Sequence, residues 1–115
     1  MDKCAVRNNS LIINGKVVNF QYEIDNVKEC GNLLIVLVDI PSNVQAVNNV
    51  YAVNENGQIV WQIEDAGSVY SIQNDVPYVG TRITETSQLV VTNFNGVTFT
   101  VEPVSGKIIG KGCTK

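Results

Sequence analysis

Residues 50–63, VYAVNENGQIVWQI, decide the fold. The stretch reads as two short strands, Val50–Val53 and Ile59–Ile63, joined by residues 54–58, with Asn56-Gly57 supplying the left-handed backbone of a tight reversal. In the return strand Ile59, Trp61 and Ile63 are expected on one face, with Val60 and Gln62 on the other. A one-residue slip would carry the Trp to the wrong side, so the register is specified.

The stretch TFTVEPVSGKIIGK, residues 98–111, repeats this pattern with one extra turn residue. Phe99 then matches Tyr51, Val101 matches Val53, Gly106 matches Gly57, and Ile108 and Ile109 match Ile59 and Val60. Such self-similarity marks an internal repeat. Both copies resemble the motif of PQQ-like β-propeller proteins, in which an aromatic-bearing strand leads through a Gly turn into a strand ending in Trp. The VYAV-NG-W core is also similar to that of small uncharacterised bacterial proteins. The resemblance implies four-stranded, blade-like meanders with Trp61 packed between neighbouring blades, a Trp that the second copy replaces with Gly110. Two such units cannot close a propeller, which needs about four or more blades. The expected fold is therefore all-β: an antiparallel meander of blade-like hairpins packed as a compact sandwich or barrel, with a homodimer as an addition. Without a closed channel or the second Trp, binding of the quinone is not implied, and no cofactor is expected.

A chain of 115 residues suits one domain, 1–115, burying roughly two-thirds of its unfolded surface. Apolar residues make up 44% and charged residues 17%, a balance that favours neither disorder nor a membrane span. The longest apolar run, Leu33–Val38, is far too short to cross a bilayer, and MDKCAVRNNS has no apolar core of a secretory signal. A cytoplasmic location follows as the expectation. Free thiols at Cys4, Cys30 and Cys113 are favoured over a disulfide or a three-thiolate metal site, since no signal sequence or His accompanies them.

Along the chain, Lys3–Arg7 is a short first run, followed by Leu11–Ile13, a turn at Asn14-Gly15, and a long strand from Lys16 to about Ile24. Val18, Phe20, Tyr22 and Ile24 share its apolar face. Val27–Cys30 and the run Leu33–Ile40 follow; the latter is apolar without alternation, as a strand covered on both faces would be. Pro41 ends it, PSNVQAVNN is a loop, and VYSI at 69–72 is left unassigned. Beyond Pro77 a four-strand meander runs through Tyr78–Ile83, Gln88–Thr92, Val97–Val101 and Lys107–Ile109. No segment keeps a helical period.

The absence of His removes the commonest general base and every Ser-His or Cys-His arrangement. Glu23 and Asp25, two apart on one strand, allow a carboxylate-dependent hydrolase as an alternative, with a solvated sheet face as the simpler account. Charge is the stronger signal. Between Glu29 and Val79 there is no Lys or Arg, while Glu29, Asp39, Glu55, Glu64, Asp65 and Asp75 are all acidic. That excess argues against nucleic acid, whose phosphates need clustered cations. It points instead to a non-enzymatic factor that binds a basic protein surface, immunity- or antitoxin-like, through Asp39, Glu55, Glu64, Asp65 and Asp75. A self-associating structural module is the other alternative, with neither metal nor membrane involved.

Overall fold

The computed structural model describes residues 4–113 as three antiparallel sheets built in chain order. Sheet A pairs β1 (Cys4–Arg7), β2 (Ser10–Ile13) and β3 (Lys16–Asn19). Sheet B is the meander β4 (Ile24–Cys30), β5 (Leu33–Val38), β6 (Val50–Val53) and β7 (Ile59–Gln62). Sheet C repeats it with β8 (Tyr78–Ile83), β9 (Leu89–Asn93), β10 (Val97–Val101) and β11 (Ile108–Cys113). The sheets stay open, so the all-β expectation is met by stacking and not by a barrel. Lys3, Lys115 and the thiol of Cys113 lie outside the described residues.

Sheet B is the middle layer, and its second strand shows why. On β5, Leu34, Val36 and Val38 pack with Leu11, Ile13, Val18 and Phe20 of the sheet A side. Ile35 and Leu37, on the opposite face, pack with Tyr78, Leu89, Val91 and Phe99 of sheet C. A strand apolar at every position has a core on both sides, the burial that the run LLIVLV demands.

Four turns share one design. Residue Asn54, Thr84, Asn93 or Glu102 begins each, and its side-chain oxygen accepts from backbone N–H groups inside the turn. The turn then closes through a residue with positive φ: Gly57 (75°), Ser87 (62°), Gly96 (85°) or Gly106 (76°). Short polar side chains that mimic a backbone turn explain the choice of Asn and Thr. In the turn at 54–57 Gly57 alone is left-handed, so the reversal rests on Asn54 and Gly57 and not on an Asn56-Gly57 pair.

That turn forces a bulge. Val53 pairs with Ile59 and Ala52 with Trp61, which leaves Ile59 46% and Val60 45% exposed. Ile59 therefore leaves the face of Trp61 and Ile63, where strict alternation placed it; the extra residue breaks the period of two. The same bulge recurs where Val101 pairs with Ile108 and Thr100 with Gly110, so the two hairpins are equivalent position by position.

The expected long strand at 16–24 is cut after Asn19, because its partner β2 ends at Ser10. From there the chain crosses to sheet B. The Phe20 amide donates to Asn9 O (2.8 Å) and the Ile24 amide to Asn8 O (2.9 Å). Phe20 remains buried, with Tyr22 and Ile24 packed against the same cluster. The unassigned VYSI segment is divided: Val69 and Tyr70 end the helix α1 (Ala66–Tyr70), capped by Asp65, and Ser71 terminates it at φ 54°.

The equivalence of sheets B and C extends across their faces. Ile35, Leu37, Val50, Ala52, Trp61 and Ile63 form sheet B's face toward sheet C. In sheet C the matching positions are Val90, Thr92, Thr98, Thr100, Gly110 and Gly112. Terminal repeats carry a polar outer face because nothing covers them. The missing second Trp is one of these changes: among the described residues, no further sheet packs on position 110.

Candidate functional site

Where the chain passes between layers, three segments converge on the corner Asp39–Pro41. The first is the crossing at 20–24, held by Asn8 and Asn9 and by the Asp39 amide, which donates to Glu23 O (2.8 Å). Asn9 Nδ2 also donates to Phe20 O (2.7 Å). The second is the loop that follows β5, begun by Pro41, whose carbonyl accepts from Val44 N (3.0 Å). Residues 75–79, entering sheet C, are the third.

Asn49 locks the second segment to the third. Only 2% exposed, it donates Nδ2 to Val38 O (2.7 Å) and Tyr78 O (2.9 Å) and accepts from Tyr78 N at Oδ1 (2.8 Å). An amide is the side chain that can serve two carbonyls and one N–H together. Nearby, Asn74 Nδ2 donates to Asn48 Oδ1 (3.1 Å) and to Asp65 Oδ1.

Between the loop and residues 75–79 lies a cleft of about 450 Å³. Its apolar lining includes Ile40, Val44, Val76 and Val79, and its carboxylates are Asp25, Asp39 and Asp75. None of its lining residues is Lys or Arg. Phe94 stands at this cleft with 71% of its surface exposed. It occupies the second position of the Asn93 turn, and its amide donates to Pro77 O (3.0 Å). An aromatic ring on a turn pinned by two bonds to Asn93 Oδ1 is held out from the core. A second groove, about 650 Å³, lies on the other side of the corner, lined by Asn8, Asn9, Gln21, Tyr22, Glu23, Asp39 and Pro41.

Of the acids singled out by sequence, Asp39 and Asp75 meet in the cleft, joined by Asp25. Glu64 and Asp65 are engaged internally. Glu64 Oε1 accepts from the Ile108 amide (2.9 Å) and its own N–H donates to Gly106 O (3.2 Å), which ties sheet B to the last turn of sheet C. Asp65 caps α1 through Gly67 N (3.3 Å). Glu55 sits exposed on the β6–β7 turn, where its carbonyl accepts from Asn14 Nδ2 (3.1 Å). Glu23 and Asp25, expected two apart on one strand, are separated: Glu23 falls in the crossing before β4 and lines the groove, while Asp25 sits at a bulge in β4 and lines the cleft. Sequence reasoning missed Phe94; an aromatic between Asn93 and Asn95-Gly96, at a position turns leave exposed, was the available signal.

Of the other reactive groups, Tyr78 and Cys30 are buried between the layers and Cys4 is exposed. Burial, and then the Asp65 carboxylate, pushes the Tyr78 hydroxyl up to about 12, and its oxygen has no hydrogen-bond partner. Cys4 and Cys30 are free; burial first and Glu102 second raise the Cys30 thiol. Among the described residues, no three His, Cys, Asp or Glu side chains are grouped to hold a metal ion, and no helix is long and apolar enough to cross a membrane.

The architecture defines a class: a small all-β stack of consecutive antiparallel meanders, with its concave surfaces at the crossings between layers. Within that class the chain belongs to the family described as Domain of unknown function (DUF7957), whose model matches residues 1–113. No curated protein matches the sequence.

Proposed function

We propose that this protein is a non-enzymatic binding factor that holds a basic segment of a protein partner in the cleft beside Asp39 and thereby masks it, as an immunity or antitoxin-like factor does. One observation carries the reading. Asp25, Asp39 and Asp75 come from three separate segments, yet line one apolar cleft with Phe94 and no cation. A Lys or Arg entering it would lay its aliphatic stem on Val44 and Val79 and its charge against the carboxylates, with cation–π contact to Phe94 available. Exposed aromatics flanked by complementary charge are the usual anchors of such interfaces. Free thiols at Cys4 and Cys30 suit a cytoplasmic setting.

The repeat geometry also supports reading the chain as a degenerate relative of PQQ-like blades, with Trp61 between sheets B and C in the place that resemblance assigns it. The other readings draw less support. The hydrolase reading takes Glu23 and Asp25 as its pair, and these two line different hollows. Self-association through open sheet edges would use strands such as β7 and β11, but β7 is only four residues long and β11 carries Lys111, features that blunt an edge.

The test is a titration of ¹⁵N-labelled protein with matched-length basic and acidic peptides at low and high ionic strength. Basic peptides should shift the amides of residues 39–46, 75–79 and 94, and added salt should weaken the effect. Equal shifts with acidic peptides, or shifts confined to residues 55–58, would overturn the reading.

A further inference from the structure

The cleft and the second groove are not independent, because Asp39 and Pro41 line both. Their chemistry differs across that shared wall. On the cleft side lie Ile40, Val44, Val76, Val79 and Phe94. On the groove side lie the exposed amides of Asn8 and Gln21, with Glu23 and Tyr22, whose hydroxyl accepts from Gln21 Nε2 (3.3 Å). Carboxylates flank the wall on both sides: Glu23 in the groove, Asp25 and Asp75 in the cleft, and Asp39 in both.

We infer that the two hollows form one composite recognition track for an extended peptide segment, with a Lys or Arg seated at Asp39, an apolar residue toward Phe94 and polar residues toward Asn8 and Gln21. The inference rests on the basic-partner reading and adds the conformation and the order of residues in the ligand. An amphipathic helix would need an apolar stripe along its whole length, and half of this track is polar. An extended chain presents successive side chains to opposite sides and leaves its backbone N–H and C=O groups free, which side-chain amides such as those of Asn8 and Gln21 can satisfy. The backbone that carries the central carboxylate is preset: the Asp39 amide donates to Glu23 O, which ties residue 39 to the crossing that forms the groove wall. Little ordering of the protein is then left for binding, which favours affinity.

The experiment uses two short peptides of one composition, each with a central Arg. One has two Leu on one side and Ser and Asn on the other; the second has one Leu with one polar residue on each side, so that neither side is wholly apolar. A nitroxide spin label is placed at either end of the first peptide in turn. The label next to Leu should broaden the amides of Val79 and Phe94, and the label at the polar end those of Asn8 and Gln21. The ordered peptide should bind about tenfold more tightly than the scrambled one, a difference worth about 1.4 kcal/mol. Phe94→Ala should remove the preference for order, and Asp39→Asn should weaken both peptides alike. Equal affinities, or broadening of Val79 and Phe94 by both labels with Asn8 and Gln21 untouched, would overturn the composite track while leaving the cleft as a basic-side-chain site. No shift with either peptide, or with any basic peptide, would remove the underlying reading as well.

Discussion

The contact between Trp61 and Gly106 is where sheet B meets the last turn of sheet C, and its strength can be worked from geometry. A Cβ added at Gly106 would lie 2.5 Å from Trp61 Cδ2, 2.7 Å from Cε3 and 2.9 Å from Cγ. The indole cannot simply swing away, because Nε1 donates to Pro103 O (2.8 Å) in the same turn. In addition φ at Gly106 is +76°, which costs a non-glycine residue about 1–2 kcal/mol. Overpacking adds about 1–3 kcal/mol, and loss of the indole bond about 1 kcal/mol. Gly106→Ala is thus expected to destabilise by about 3–6 kcal/mol, a large share of a net stability of about 5–15 kcal/mol. In a Trp61→Leu background the steric part disappears, and Gly106→Ala should cost only the conformational part, about 1–2 kcal/mol. The double-mutant cycle should therefore show a coupling of about 2–4 kcal/mol. Urea unfolding followed by far-UV circular dichroism measures all four proteins, since Trp61 is the sole tryptophan and cannot itself be the probe. Equal cost of Gly106→Ala in both backgrounds would refute the steric account and leave only backbone strain.

Asn49→Ala strips Tyr78 N, and two carbonyls, of a partner at a buried position; a loss of about 2–4 kcal/mol in urea unfolding is expected, and a change below about 1 kcal/mol would mean that water replaces the amide. Tyr78 gives a pH signature. Its folded pKa, about 12, lies above the ordinary 10.0, so its contribution is complete below pH 10 and lost as pH rises toward 12. Ultraviolet titration should show Tyr78 as the last tyrosine to ionise, later than Tyr51, which burial also raises, and Tyr78→Phe should abolish that last phase without loss of stability at neutral pH because the hydroxyl has no partner. Restoring sheet B's residues on the outer face of sheet C, through Thr92→Leu, Thr98→Val and Gly112→Ile, should produce concentration-dependent association by light scattering; no change from the parent would show that the polar substitutions are not what keeps this face unstacked.

Much of this molecule was legible in local chemistry. The run Leu33–Val38 had to be covered on both faces because no position in it tolerates water, and the structure places it in the middle layer. The repeat of residues 50–63 at 98–111 was visible because the same strand, Gly turn and bulge need the same residue types at the same offsets. Ile59 was misplaced by alternation alone: a bulge is set by how a turn closes, which the period of two does not register. The break after Asn19 depended on the length of the partner strand, a non-local quantity. The acids illustrate the same limit. Asp39, Glu55, Glu64, Asp65 and Asp75 are equivalent as charges in a sequence, but a carboxylate serves a ligand only if the fold leaves its oxygens unspent and directs it to a hollow.

Sequence alone therefore determined most of the strands, the positions of the hairpin turns, the repeat and the acidic character of the middle of the chain, since each rests on neighbours within a few residues. Tertiary structure decided which sheet is sandwiched and which face is a polar end. It also decided that Glu64 and Asp65 hold sheet C and α1 in place, while Asp25, Asp39, Asp75 and Phe94 converge on one cleft. Those outcomes follow from packing between segments dozens of residues apart, where burial and hydrogen-bond satisfaction are settled by the assembled layers and not by local propensity.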